Sequence, residues 1–196
     1  MAVTHLMWDL ECLGMDDSCV ITAVSVVPFT FEGSESYDDL VKRGLFVKFS
    51  ARDQIENYHR TTDDSTVTWW KQQSPEAKAF SVIPNASDVP FEQGLDQITR
   101  YVATSGVLWK SSYSWSRGSA FDFPKIEHAY RHTNLKLPYN TWRIRDVRTY
   151  MDILAGSDNG QYQLRDGDPT NFVKHHALHD AALDALKMKE VYQNNL

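Results

Sequence analysis

From His5 to Glu11 apolar and polar positions alternate, so that Leu6, Trp8 and Leu10 point to one side and Met7, Asp9 and Glu11 to the other. That period of two is the mark of a strand. Residues 19–29 form a long β-branched run closed by Pro28 and Phe29, and residues 44–50 form a shorter one, which predicts an antiparallel meander of three strands joined by loops at 14–18 and 33–39. Beyond residue 60 the period changes. Residues 65–73 read as a helix capped by a serine, Pro75 stands at a helix start, and Phe91, Leu95, Ile98 and Val102 fall at helical spacing within a predicted helix 90–104. A strand at 107–113, a helix at 123–132, a strand at 141–145, and helices at 147–154 and 177–192 follow. The expected fold class is therefore α/β: a mixed five-stranded sheet, meander first and alternating helices and strands after, flanked by helices. The stretch 158–170, rich in Asp, Gly, Asn and Gln, is the expected mobile loop.

Composition narrows the class. The chain has 196 residues, 42% hydrophobic and 23% charged, which excludes disordered and fibrous readings and predicts a single domain over residues 1–196. No apolar run is long enough to span a membrane, and Met1 to Leu6 lacks the layout of a secretion signal, so the expected compartment is the cytoplasm. Cys12 and Cys19 are too few for a disulfide framework or a closed zinc site and are read as reduced thiols. Twenty Lys and Arg against 26 Asp and Glu leave a net charge of -6, so any attraction for nucleic acid must be local. One stretch offers it: residues 125–150 carry Lys125, Arg131, Lys136, Arg143, Arg145 and Arg148 against Glu127 and Asp146. A solvated helix and strand face explains that cluster equally well.

Asp9 and Glu11 project from one strand face about 7 Å apart, and two acids flanked by core residues repel each other unless a cation lies between them. Such hard oxygen donors suit Mg²⁺ or Mn²⁺ rather than zinc, although an acidic solvent face would look the same. Asp122 stands where a loop enters a helix, as a ligand or as the helix cap. At the last helix, His175 precedes Asp180 by five residues, and so does His179 precede Asp184. A histidine titrates near neutrality and is the natural general base.

Met7-Trp-Asp-Leu-Glu-Cys-Leu-Gly14, Thr66-Val-Thr-Trp-Trp-Lys-Gln-Gln73, Gly118-Ser-Ala-Phe-Asp122, Arg145-Asp-Val-Arg-Thr149 and His175-His-Ala-Leu-His-Asp-Ala181 together resemble the DEDDh exonuclease superfamily of the ribonuclease H-like fold. The likeness is greatest to the group of phage exodeoxyribonuclease A and the mycobacterial 3′–5′ exoribonuclease. It implies a 3′–5′ exonuclease that releases nucleoside 5′-monophosphates from single-stranded or frayed ends, DNA slightly before RNA. It further implies that Asp9, Glu11, Asp122 and Asp180 bind two Mg²⁺ or Mn²⁺ ions and that His175 activates the attacking water. Cys12 stands where the family usually has Thr. The pattern His-x-Ala-Leu-x-Asp-Ala favours the His175 and Asp180 frame over His179 and Asp184. Arg143, Arg145 and Arg148 are candidate contacts to backbone phosphates, and Asp146 is read as a helix cap. Of Trp69 and Trp70, adjacent on a helix, at most one is expected to face substrate. A ribonuclease H-type endonuclease and a non-catalytic binding module are the competing readings, and a homodimer is compatible with all three.

Overall fold

The computed structural model describes residues 3–196. Its sheet has five strands: β1 (His5–Cys12), β2 (Ile21–Phe29), β3 (Leu45–Lys48), β4 (Ser114–Ser116) and β5 (Ile144–Asp146). Their order is β3-β2-β1-β4-β5, with the first three strands antiparallel and β4 and β5 parallel to β1. The mixed sheet of meander followed by alternating elements is as the pattern predicts. β2 is buried along its whole length because β1 and β3 cover its edges and helices cover both faces. Pro28 is tolerated there because β3 pairs only with Ala23 to Val26, so the edge beside Pro28 asks for no N–H.

Among the described residues eight α-helices surround the sheet: α1 (Tyr37–Arg43), α2 (Ala51–Tyr58), α3 (Asp64–Lys71), α4 (Pro75–Ser81), α5 (Phe91–Thr104), α6 (Ser119–His132), α7 (Val147–Ala155) and α8 (Ala177–Asn194). The alternation along β1 divides the core. Leu6, Trp8 and Leu10 pack with Phe91, Leu95 and Ile98 of α5 and Phe123 and Ile126 of α6. Met7 packs on the other face with Val147 and Met151 of α7 and Ala181, Ala185 and Met188 of α8. Small residues on α8 let that helix lie close to the sheet, which brings its first turn beside Asp9 and Glu11.

Four expectations need correction. The strand expected at 107–113 is irregular, and β4 follows it at Ser114–Ser116, because two parallel neighbours bury its serines where no apolar pattern marks them. The strand expected at 141–145 opens as a 3₁₀ turn over Thr141–Arg143, and β5 runs to Asp146. The helix expected from Phe123 begins four residues earlier, after Gly118 at φ 99°, so Pro124 lies inside it and Asp122 is within the first turn rather than at the cap. Asp63, not a serine, caps α3. Two further helices lie where the apolar pattern predicts none: α1, which carries a Ser36 and Asp39 capping box, and α2.

Candidate active site

Asp9 and Glu11 open from β1 into a cavity of about 720 Å³ walled by α6, α8 and the loop that follows α7. Asp122 reaches it from the first turn of α6 and Asp180 from the first turn of α8. Donor atoms of Glu11, His175 and Asp180 lie within 4.8 Å of one another. The structure thus gathers Asp9, Glu11, Asp122, His175 and Asp180, separated by up to 171 positions in sequence, around one space.

Each side chain is held by its element. Asp122 is buried and accepts a hydrogen bond from the Ser116 hydroxyl at the end of β4. Asp180 accepts the backbone N–H of His175 at 2.7 Å, a contact that needs His175 in the left-handed region at φ 63°. The His175 ring packs nearly perpendicular to the Trp69 and Trp70 rings, with centroids 4.9 and 6.1 Å away, and the His175 carbonyl accepts from the Ser81 hydroxyl. Trp70 is buried and donates Nε1–H to the Cys12 carbonyl at 2.9 Å, whereas Trp69 is 40% exposed. The expectation that one tryptophan is core and only one is open therefore agrees with the structure.

The electrostatics are unfavourable in isolation. Burial pushes the Asp9 carboxyl well up, and Asp180, Glu11 and Asp122 push it further. Burial and then Asp180 raise Glu11 in the same way. Asp122 is pushed up to about 7 by burial, against the opposing effects of the Ser116 hydroxyl, Lys125 and Arg148. Asp180 is likewise pushed up to about 7 by burial and by Asp184. Among the described residues no salt bridge reaches Asp9, Glu11, Asp122 or Asp180. Four crowded carboxylates of this kind are a donor set for hard divalent cations, which would relieve both the repulsion and the desolvation.

The second His and Asp pair has other partners. Asp184 receives the Arg117 guanidinium, with Nε at 2.9 and 3.0 Å from its two oxygens. His179 accepts the Val173 N–H at Nδ1, 3.0 Å away, and stacks on His176 at 4.3 Å. Of the three candidate arginines only Arg148 lines the cavity. Arg143 and Arg145 lie over the Tyr113 ring at 4.7 and 4.5 Å, away from the carboxylates. Asp146 caps α7 through the Thr149 N–H, as expected, and also accepts the N–H groups of Gly118 and Ser119 at 3.1 and 2.9 Å, which fixes the start of α6. Sequence reasoning missed Arg117, Lys174 and Lys187 in the cavity wall. Arg117 stands one residue before the Gly118 motif, a position that by itself carries no signal.

Residues 4–192 match the family described as 3′-5′ exoribonuclease Rv2179c-like domain. The chain is also 33% identical over 198 residues to an exodeoxyribonuclease of Enterobacteria phage T4, covering 92% of this chain and 86% of the phage protein. The chain belongs to the Rv2179c-like 3′–5′ exoribonuclease family. It is a 3′–5′ exonuclease, and its fold is ribonuclease H-like. The fold recurs at low identity in solved structures. The nuclease domain of 3′hExo, a DEDDh family member bound to rAMP, is 12% identical with a TM-score of 0.68, over 98% of this chain and 93% of that one. Cell-death related nuclease 4 is 14% identical with a TM-score of 0.62, over 97% and 64%. Product-bound exonuclease I is 12% identical with a TM-score of 0.57, over 99% and 46%. At such identities these structures speak for the fold of the exonuclease alone. No helix among its described residues is long and apolar enough to cross a membrane.

Proposed function

We propose that residues 1–196 form one exonuclease domain in which Asp9, Glu11, Asp122 and Asp180 hold two Mg²⁺ or Mn²⁺ ions and His175 is the general base. The substrate is the 3′ end of a single-stranded or frayed nucleic acid, DNA ahead of RNA, and the products are nucleoside 5′-monophosphates. The observation that carries this reading is the convergence of Glu11, His175 and Asp180 donor atoms within 4.8 Å, with no salt bridge to either carboxylate among the described residues. Bound divalent ions supply Lewis acidity at the scissile phosphate and cancel the four negative charges, so a polyanion can enter. Burial lowers the His175 imidazole below its ordinary value, and Lys174 adds to this, which favours the neutral ring that a general base requires. The two perpendicular tryptophan rings and the left-handed backbone fix the plane of that ring. Arg148 and Lys174 line the same space and are suited to the phosphates. The preference for DNA rests on the phage relative, an exodeoxyribonuclease.

The frame His175 and Asp180 is favoured over His179 and Asp184 because Arg117 already neutralises Asp184 and His179 is spent on a backbone N–H. The test is a 5′-labelled oligonucleotide, in DNA and RNA versions, incubated with Mg²⁺, with Mn²⁺ and with chelator. The reading expects a ladder that shortens from the 3′ end only when metal is present, faster on DNA. Cleavage of a covalently closed circle would replace it with an endonuclease, and an intact oligonucleotide in every lane would leave only a binding module.

A further inference from the structure

At the other end of β4 and β5 from the carboxylates lies a surface of opposite character. The segment 107–116 leads into β4 and the segment 135–145 leads into β5. Together they carry Lys110, Lys136, Arg143 and Arg145 and no Asp or Glu, in a chain whose net charge is -6. The two segments are bonded to each other: Arg143 donates Nε–H to the Lys110 carbonyl at 2.9 Å, and Asn140 donates to the Trp109 carbonyl at 3.2 Å. Arg143 and Arg145 both stack on the Tyr113 ring, which holds their guanidinium groups at the edge of β5. Beside them Trp142 is 88% exposed and Trp109 is 54% exposed. Large aromatic faces left open next to fixed cations are costly unless something covers them.

We propose that this aromatic and basic edge binds the 5′-ward part of a single-stranded substrate, at a distance from the site that cleaves its 3′ end. The pairing of planar faces with cations matches bases and phosphates in a single strand, and neither feature requires a particular sequence. β5 connects the two regions, since Arg143 and Arg145 belong to the patch and Asp146, the next residue, holds the start of the helix that carries Asp122. A strand anchored here would raise the local concentration of its own 3′ end at the cavity, so the effect grows with substrate length. The proposal rests on the exonuclease reading for its cleavage arm and on charge and stacking for its binding arm.

The two arms are tested separately. Trp142 projects freely, so Trp142→Ala leaves the fold intact, and Trp142→Phe keeps an aromatic face. In chelator, fluorescence anisotropy with a single-stranded oligonucleotide of about 20 nucleotides should give an affinity weakened on the order of tenfold for Trp142→Ala and largely restored for Trp142→Phe. Arg145→Gln should weaken it several-fold and reduce the slope of log affinity against log salt by about 0.7, the share of one phosphate contact. With metal, KM for the long strand should rise in Trp142→Ala while kcat on it, and turnover of a dinucleotide, stay at the wild-type level. Equal affinities for wild type and Trp142→Ala would overturn the proposal. So would a wild-type dimer that Trp142→Ala dissociates without loss of oligonucleotide binding, because the patch would then be a contact between copies. Should the wild type cleave neither substrate, the exonuclease reading fails, and the anisotropy series still decides whether the surface binds single strands.

Discussion

Replacing Asp180 with Asn removes one charge from the carboxylate cluster yet keeps the carbonyl oxygen that accepts the His175 N–H, so it isolates the electrostatics. Burial and Asp184 push the Asp180 carboxyl from 3.8 up to about 7. A carboxyl raised in the native state binds its proton more tightly there than in the unfolded chain, so the fold loses stability as the pH rises from about 4 through about 7. The structure gives the size. With Glu11 and Asp180 oxygens within 4.8 Å, the repulsion is about 3.5 kcal/mol at an effective dielectric constant near 20 and about 1 kcal/mol in bulk water. A chain of this length shifts its Tm by roughly 2–4 °C per kcal/mol, so Asp180→Asn in chelator near pH 8 should melt about 2–14 °C above the wild type. The gap should shrink toward zero near pH 4, where the wild-type carboxyl already carries its proton. Mn²⁺ should raise the wild-type Tm by mass action and the variant's much less. Thermal melts at the two pH values, with and without metal, measure all four quantities. A variant that melts below the wild type in chelator near pH 8, or a gap independent of pH, would refute the reasoning.

The base is tested by His175→Ala, which should keep metal and oligonucleotide affinity but lose about 10² to 10⁴ in kcat, while His179→Ala stays within a few-fold; reversal of that order in steady-state kinetics moves the base to the second frame. Asp9→Ala should fall below about a tenth of wild-type turnover and, in chelator, melt no lower than the wild type, since its neighbours lose a repelling charge; a scan by fluorimetry checks the second half. Away from the site, Lys189 is buried against Glu35, which Arg43 also reaches at 2.7 Å. Glu35→Gln should cost about 3 kcal/mol by stranding the buried ammonium, and Lys189→Met clearly less because Glu35 keeps Arg43; urea midpoints that reverse this ranking would show that the pair does not behave as a buried charge.

The residues that were legible in the sequence are those whose neighbours in the chain report their environment. Alternation along β1 put Asp9 and Glu11 on one face and Trp8 and Leu10 on the other, and the two faces pack against different helices as that pattern requires. Asp146 was legible as a cap because the helix start is local. What failed was local pattern where tertiary contact decides. Leu108 and Trp109 look like strand core and are exposed, whereas Ser114 and Ser116 look like loop and are buried between β1 and β5. Phe123 reads as the first residue of a helix with Asp122 as a possible cap, yet the turn before it is secured by Asp146 from another strand, a contact no local signal encodes. α1 could have been found, since Ser36 and Asp39 stand at capping-box spacing, but its mixed charges hide the apolar face formed by Tyr37 and Leu40.

The two histidine frames illustrate the same limit inside the site. His175 and His179, like Asp180 and Asp184, are four residues apart, close to one helical turn, so helical spacing gives both pairs nearly the same face and nothing in the spacing separates them. The separation comes from two contacts elsewhere. His175 lies before the helix, where a left-handed backbone turns its N–H onto Asp180 and its ring toward Trp69, while His179 is already inside α8 and turned toward His176 and Tyr37. Arg117, from the end of β4, then neutralises the outer aspartate and leaves the inner one charged among acids. An arginine 67 residues away thus divides two otherwise equivalent carboxylates into one that is structurally paired and one whose charge still needs a cation. Removing it tests that division: Arg117→Met should set Asp184 free to compete for metal, weakening the specific site and raising the apo cluster's repulsion, so the variant should melt lower in chelator near pH 8 and recover with Mn²⁺. A variant that melts lower by the same amount with and without metal would mean that Arg117 contributes only packing.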